Sequence, residues 1–436
     1  MQIVILGAGG IGYTLAQKLV KEKHELIIIE KDPETAKKAR NNLDAIIIEN
    51  DGANPEVLLS ALEEKTDAFL ALTNNDSVNI LSGLLAKKFG VEKIVIRINQ
   101  YQNLANPLVK APEIKLINPD LSIARGLIRL ITTPPAEEVE ILAKGKVKIL
   151  KLTVGTEIAG KSIKDIEFPK GWIIVGHITE TGFSIPHGNT LFSEGDKILV
   201  LGDPSTKAEI EKVIGLSPEK LDLVVLLGAE QITSYISGWL ERRNIPVRII
   251  ESNIFKAKEF AQKSTSLILR GDITSEELFS EANVKEANYF AALTKDDEIN
   301  IIACSLAKEA GAKHVISLCR KPHYFPLTQK IGIDTVIMPY PIISEEIHRY
   351  LKKKRALALI PIENEQAQIW ELKLTRKSKV IRKSLSSLKL PEQLIVGAIV
   401  RNEQLIIPGG ETRLLPEDRV IIISLPGQEK IIEKLF

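Results

Sequence analysis

Near its start the chain reads Ile3-Val4-Ile5-Leu6-Gly7-Ala8-Gly9-Gly10-Ile11-Gly12, an apolar run followed by glycines at G-x-G-x-x-G spacing. Each glycine has its own task in phosphate chemistry. Gly7 permits a tight turn, Gly9 lets main chain approach a pyrophosphate, and Gly12 lets a helix pack close to the strand. The N-terminus of that helix supplies unpaired N–H donors and partial positive charge for phosphoryl oxygens. Glu30 closes the next apolar run, 18 residues after Gly12. A carboxylate there accepts both ribose hydroxyls of an adenosine and repels a 2′-phosphate. This favours NAD(H) or an adenine nucleotide over NADP(H). The bland alternative is a glycine turn beside a solvated glutamate.

Four further residues fall at the ends of apolar runs, where an open parallel sheet presents its ligand crevice. Asp51 is placed to bond an adenine amino group, or is simply the turn residue before Gly52. Thr73 and Asn74 face the same crevice, or only cap the next helix. Arg97 lies in an apolar run, where a guanidinium needs a phosphate or a carboxylate partner.

No catalytic constellation accompanies this loop. An NAD-dependent oxidoreductase, the competing class, needs a substrate domain with a proton donor near the nicotinamide. His177 and His187 fall on a strand and in a turn and read as structural. Cys304 and Cys319 read as core residues, and no metal-ligand spacing is present. We expect a binding protein without catalytic or metal-ligating residues.

The elements that position these residues alternate. Strand-like runs at Ile3–Leu6, Leu26–Ile29, Ala45–Ile48, Ala68–Leu72 and Ile94–Ile98 are separated by amphipathic stretches such as Ile11–Val20 and Val78–Lys88. Continuous apolar strands alternating with helices predict βαβ units and a buried parallel sheet. After Pro134-Pro135 the pattern changes. Lys148–Val154, Trp172–Ile178 and Lys197–Leu201 alternate as strands with Gly-rich turns, and a helix is expected near Thr206–Ile214. This is a small α+β module.

The whole plan then repeats. At an offset of 221, Gly7 meets Gly228, Glu30 meets Glu251, Asp51 meets Asp272 and Thr73 meets Thr294; Ala71–Gly90 keeps 10 identities in 20 positions. The fold class is therefore α/β, with two Rossmann-like doubly wound domains, each followed by a small module. The expected boundaries are 1–133, 134–217, 218–354 and 355–436. The second loop, Gly228-Ala229-Glu230-Gln231-Ile232-Thr233, keeps only its first glycine. Glu230 puts a carboxylate where a pyrophosphate would lie, so dinucleotide binding there is expected to be weak or absent. Arg320 follows the fifth strand of that copy.

Composition excludes several classes. Across 436 residues the net charge is only +2, which gives no basic field for nucleic acid. Two cysteines without paired spacing argue against a disulfide framework or a zinc site. No signal peptide or membrane-spanning run is visible, and a cytoplasmic location is expected. Lys352-Lys353-Lys354-Arg355 reads as a solvated linker, or as a patch for acidic lipid or a membrane subunit.

The chain resembles the regulatory subunits of Trk-type potassium uptake systems, built from tandem RCK units of a KTN nucleotide domain and a TrkA-C module. The resemblance covers essentially the whole length. It rests on Gly7–Gly12 with Glu30, Asp51-Gly52, Ala71–Asp76 with Asn79, and Arg97. It also rests on Pro186, Gly188 and Asp196 of the first module with Pro408, Gly410 and Asp418 of the second. It implies a nucleotide site at Gly7, Ala8, Gly9, Gly10, Ile11, Glu30, Thr73, Asn74 and Arg97. It further implies NAD(H) or ATP/ADP as ligand, and a peripheral homo-oligomeric ring on a membrane potassium translocation subunit. An efflux system or a channel is the alternative client. Apolar connecting helices such as Leu121–Ile131 favour symmetric assembly, with a hinge expected near Asn118–Leu130.

Overall fold

The computed structural model describes all residues except 63–65, 110, 133–137, 214–219, 274, 353–355 and 363–365. Pro134-Pro135, Lys353–Arg355 and all three expected domain junctions lie outside the described residues.

The chain forms two compact units, each assembled from both halves of the sequence. One comprises Met1–Ile128 with Leu221–Leu351, the other Arg129–Lys220 with Lys352–Phe436.

The first unit holds two six-stranded parallel sheets. In the first copy the strands are β1 (Gln2–Leu6), β2 (Glu25–Glu30), β3 (Ile46–Glu49), β4 (Thr66–Ala71), β5 (Lys93–Arg97) and β6 (Ile114–Ile117), in the order β3-β2-β1-β4-β5-β6. The order reverses between β1 and β4, which opens a crevice at the carboxyl ends of these strands. Ile3, Val4 and Ile5 are wholly buried, as continuous apolar runs in a doubly covered sheet require. The second copy repeats the order with Leu267–Arg270, Val247–Glu251, Val224–Leu227, Tyr289–Ala292, His314–Leu318 and Thr335–Ile337. Helix starts repeat as well. Asp32, Asn54 and Asn75 cap three helices of the first copy through their side-chain oxygens. Asn253, Ser275 and Asp296 do so at the matching positions of the second. Each cap satisfies an N–H that the helix leaves orphaned.

The sixth strand of each sheet, Ile114–Ile117 and Thr335–Ile337, was not anticipated. Each is short and joins the sheet edge just before a connecting helix, Pro119–Thr132 or Pro339–Lys352. Helix Pro119–Thr132 buries Ile123, Ala124 and Leu127 within the single chain, and Ser122 donates to Glu346 at 2.6 Å. Asn118 is buried; its amide donates to the Asn99 carbonyl and its side-chain oxygen accepts the Leu121 N–H.

Helix Pro339–Lys352 docks on the first copy through polar contacts. Lys18 pairs with Glu345, His348 with Glu22 at 2.9 Å, and Lys93 donates to the Leu351 carbonyl at 2.7 Å. Burial works against ionisation of Glu345. Bonds from His348 and Lys18, with the charges of Lys18 and Arg349, overcome it and hold the carboxyl at about 2. A depressed folded pKa contributes stability above the unfolded value and loses it below. The thermal stability advantage of the wild type over Glu345→Gln is therefore expected to shrink as pH falls from about 4.5 toward 2. Melting curves of both proteins across that window check this.

The second unit contains two five-stranded antiparallel sheets. One joins Glu138–Leu142, Val147–Thr153, Trp172–Thr179, Gly182–Ser184 and Lys197–Gly202, and the helix Lys207–Val213 follows. The other joins Ala356–Ile362, Ala367–Lys373, Leu394–Arg401, Gln404–Ile406 and Arg419–Ser424. The modules share a core that includes Val175, Leu199, Ile369, Ala398 and Ile421. The module aspartates are structural keystones. Asp196 accepts from the Ser193 N–H and pairs with the buried His177 at 2.8 Å. Asp418 accepts from Nε and one terminal nitrogen of Arg401 and from the Leu415 N–H.

Candidate nucleotide site

The turn after β1 has the geometry its glycines imply. Gly7 adopts φ +97°, and a Cβ there would stand 3.1 Å from the Thr73 nitrogen. A Cβ on Gly12 would stand 2.0 Å from the Gly7 carbonyl oxygen, so the helix approaches the loop as closely as main chain allows. Gly9 is the N-cap of helix Gly10–Lys21, and nothing lies within 4 Å of where its Cβ would be. Ala8 and Ile11 are buried and hold the loop down, while Gly9 and Gly10 are exposed. The space beside Gly9, at the start of the helix, is therefore open, and the N–H groups of a helix start can hold phosphoryl oxygens.

Glu30 has a structural part. Its Oε2 accepts the Ala8 N–H at 2.7 Å and its Oε1 the Asp32 N–H at 2.9 Å. The carboxylate thus ties the glycine loop to the end of β2. Each oxygen retains a second lone pair for a ribose hydroxyl.

Thr73 is not the cap of the following helix; Asn75 is, accepting the Val78 N–H. The Thr73 hydroxyl donates to Asn79 Oδ1 at 2.6 Å, and the Asn79 amide donates to the carbonyls of Thr73 and Arg97, both at 2.9 Å. Asn79 is wholly buried and joins the ends of β4 and β5. Asp76 beside it accepts the N–H groups of Asn99 and Gln100 and the amides of Asn99 and Asn103. Burial raises its pKa, but those bonds outweigh it and the net shift is downward. From the sequence Asp76 and Asn79 carry the repeat and the family resemblance, but no place in the nucleotide site. The available signal was a polar pair kept in both copies, as Asp297 and Asn300.

Arg97 donates from Nε to Asn99 Oδ1 at 3.0 Å and from a terminal nitrogen to the Leu72 carbonyl at 3.4 Å. No carboxylate among the described residues forms an ion pair with it. Burial lowers its pKa, against the more distant charges of Asp120, Tyr340 and Asp76. Asp51 is exposed and its Oδ1 accepts the Ala53 N–H at 2.9 Å, a local turn. Asn74 is exposed at the rim, with its carbonyl accepting from Asn99. Gly7–Gly12, Glu30, Thr73 and Arg97 thus converge at the carboxyl ends of β1, β2, β4 and β5, and Asp51 and Asn74 edge the crevice.

One neighbour comes from the other copy. A Cβ on Gly10 would stand 2.4 Å from the ring of Tyr340, in the first turn of helix Pro339–Lys352. The Ser344 hydroxyl of the same helix donates to the Ile11 carbonyl. Reciprocally, Asp120 opens the first copy's connecting helix within the field of Arg320, Glu230 and Lys295 of the second copy, as well as Arg97. Each copy's last helix therefore begins over the other copy's cleft. Gly10→Ala is expected to loosen the docking of helix Pro339–Lys352, with a cost of about 1–3 kcal/mol from overpacking. Tyr340→Ala in the same chain should recover most of it. Melting temperatures of the two single variants and the double variant test this coupling.

The second copy keeps the frame and changes the centre. Glu251 accepts from Ala229 and Asn253, both at 2.7 Å, as Glu30 does from its own loop. Thr294 and Asn300 repeat the Thr73–Asn79 bonds. Thr233 fits where Gly12 would not admit a side chain, because its hydroxyl donates to the Gly228 carbonyl at 2.5 Å. Arg320 donates to the Thr294 carbonyl at 3.0 Å and lies 3.5 Å from Asp297. Cys304 and Cys319 are buried, and burial pushes the Cys304 thiol up to about 12. Among the described residues no cluster of His, Cys, Asp and Glu is placed to hold a metal ion, and no helix is long and apolar enough to cross a membrane.

The TrkA-N domain description matches residues 3–119 and 224–339, and the TrkA-C domain description matches 147–215 and 369–436. The chain belongs to the TrkA family. Among similar family members, the Trk system potassium uptake protein TrkA homolog of Archaeoglobus fulgidus is 33% identical over the full length of both chains. The Trk system potassium uptake protein TrkA of Vibrio alginolyticus is 27% identical, over 97% of this chain and 95% of its own. Among solved structures, the GsuK RCK domain has a TM-score of 0.64 at 19% identity, over 99% of this chain and 94% of its own. That likeness bears on the fold, which is the tandem arrangement of Rossmann-like sheets and antiparallel modules expected for a TrkA-family chain.

Proposed function

We propose that this chain is a nucleotide-sensing regulatory subunit of a Trk-type potassium uptake system. In this reading it acts as a homo-oligomeric ring at the cytoplasmic face of a membrane potassium translocation subunit. The nucleotide domains span about residues 1–133 and 218–354 and the modules 134–217 and 355–436, and the first copy carries the ligand. The observation that carries the reading is the open N-terminus of helix Gly10–Lys21 at Gly9, with the loop tied to Glu30. NAD(H) or ATP/ADP would place phosphoryl groups on the amides near Gly9–Ile11 and its sugar against Glu30, with Thr73 and Arg97 beside the phosphates and Asp51 and Asn74 at the rim. The Archaeoglobus relative's name, a potassium uptake protein, supports the client.

A ligand shifts a conformational equilibrium only through different affinities for the two states. Tyr340 and helix Pro339–Lys352 lie against the glycine loop, so a ligand that contacts Tyr340 in one arrangement and not in another biases how the copies dock. A triphosphate and a diphosphate reach different distances from the loop and would favour different arrangements.

The test is potassium uptake by membranes carrying the translocation subunit and this chain. Uptake is expected to change with the ATP-to-ADP or NADH-to-NAD ratio, and Gly9→Glu is expected to erase that response. Uptake indifferent to every nucleotide in the wild type would reject the reading.

A further inference from the structure

The second copy's cleft is a cavity of about 780 Å³ between the carboxyl ends of its strands. That volume lies in the range of small-molecule sites. Of the isoleucines that line it, Ile250 is buried and three are accessible: Ile254 (38% exposed), Ile299 (39% exposed) and the half-buried Ile273. At the offset of 221 the first copy has Pro33, Val78 and Gly52 in these places, so two of the three walls have gained branched apolar bulk. Partly exposed isoleucines around a cavity offer contact to a flat apolar ring, which gains by leaving water. Glu251 and Asp272 line the same cavity and offer acceptors to hydroxyl or amino donors.

The phosphate end is already filled. Glu230 replaces Gly9 at the helix N-terminus, and its side chain is 17% exposed. Its carboxylate pairs with Lys256 and lies 3.6 Å from Lys295. Both lysines are particular to this copy, since Thr35 and Asn74 hold the matching positions in the first. The helix dipole and two ammonium groups, which together would attract a phosphate, instead surround a carboxylate from the chain itself. A phosphoryl group entering there meets a like charge and must break existing ion pairs.

We infer that the second cleft binds an uncharged purine nucleoside and rejects its phosphorylated forms, with Glu230 permanently occupying the phosphate place. The cleft then reports on a different pool from the first site. The inference borrows from the proposed function only the expectation that Gly9→Glu silences the first site.

The experiment is calorimetric titration of the full chain carrying Gly9→Glu, with adenosine, 5′-AMP and ATP as probes. Adenosine is expected to bind at one molecule per chain, and 5′-AMP and ATP at least tenfold more weakly. Adding Glu230→Gly should raise the affinity for 5′-AMP and ATP at least tenfold, and Ile273→Asp should abolish adenosine binding while the melting curve stays cooperative. Absence of adenosine binding to a folded Gly9→Glu chain, or ATP binding as tight as adenosine, overturns the inference. Nucleotide binding by the unmodified chain is read separately. Its absence would reject the first site and leave the adenosine result standing; its presence without adenosine binding would do the reverse.

Discussion

Gly9→Glu is expected to lower nucleotide affinity at the first site by at least about a hundredfold while the protein stays folded. A carboxylate about 4 Å from a phosphate costs about 4 kcal/mol at an effective dielectric of 20, and each 1.4 kcal/mol is about tenfold in affinity. The fold should tolerate the change, because nothing lies within 4 Å of a Cβ at Gly9 and its backbone is outside the left-handed region. The second copy already carries Glu230 at the equivalent N-cap. Binding measured beside a thermal melt separates the two effects. Loss of binding with an unchanged melting temperature is the expected result, and retained binding would reject the placement of the phosphates.

Gly12→Val is the second large effect and acts in the opposite way, through the frame. Its Cβ would stand 2.0 Å from the Gly7 carbonyl oxygen, a main-chain atom that cannot rotate aside. The helix or the loop must move, at a cost of about 1–3 kcal/mol for overpacking. Gly12→Thr should cost less than Gly12→Val, since Thr233 shows how a hydroxyl there donates to the carbonyl it faces. Both variants should bind nucleotide more weakly by displacing the amides after Gly9. Chemical denaturation ranks their stabilities. Equal cost for threonine and valine would show that the hydroxyl bond of the second copy does not carry over.

Much of the fold was legible because the signals were local and repeated. Apolar runs at Ile3–Leu6 and Leu26–Ile29 sit inside strands Gln2–Leu6 and Glu25–Glu30, and the offset of 221 carried that reading to the second sheet. The turn at Gly7 and the closeness at Gly12 were legible for the same reason: each needs a residue type that leaves a mark. Ile114–Ile117 and Gly182–Ser184 were missed because runs of four and three residues carry too little periodicity. The second role of Glu30, holding the Ala8 N–H, depends on how two strand ends meet and leaves no spacing signal.

The exchange of connecting helices was also hidden. Asp120 and Tyr340 are each the second residue of a connecting helix yet differ in type, so self-comparison passes over them. Only packing brings Tyr340 onto Gly10, 330 positions away. Asn79 lies between these cases. Its recurrence as Asn300 marked it, and its burial shows why: an amide can bridge two strand ends that offer only carbonyls and an N–H.

The most direct measurement is calorimetric titration of the unmodified chain with ATP, ADP, NAD, NADH and NADPH. The predicted result is saturable binding of one adenosine phosphate or nicotinamide dinucleotide per chain, with NADPH weaker than NADH because Glu30 opposes a 2′-phosphate. If none of the five binds, no phosphoryl group rests on the helix that begins at Gly10, and the chain is a duplicated scaffold without a sensor.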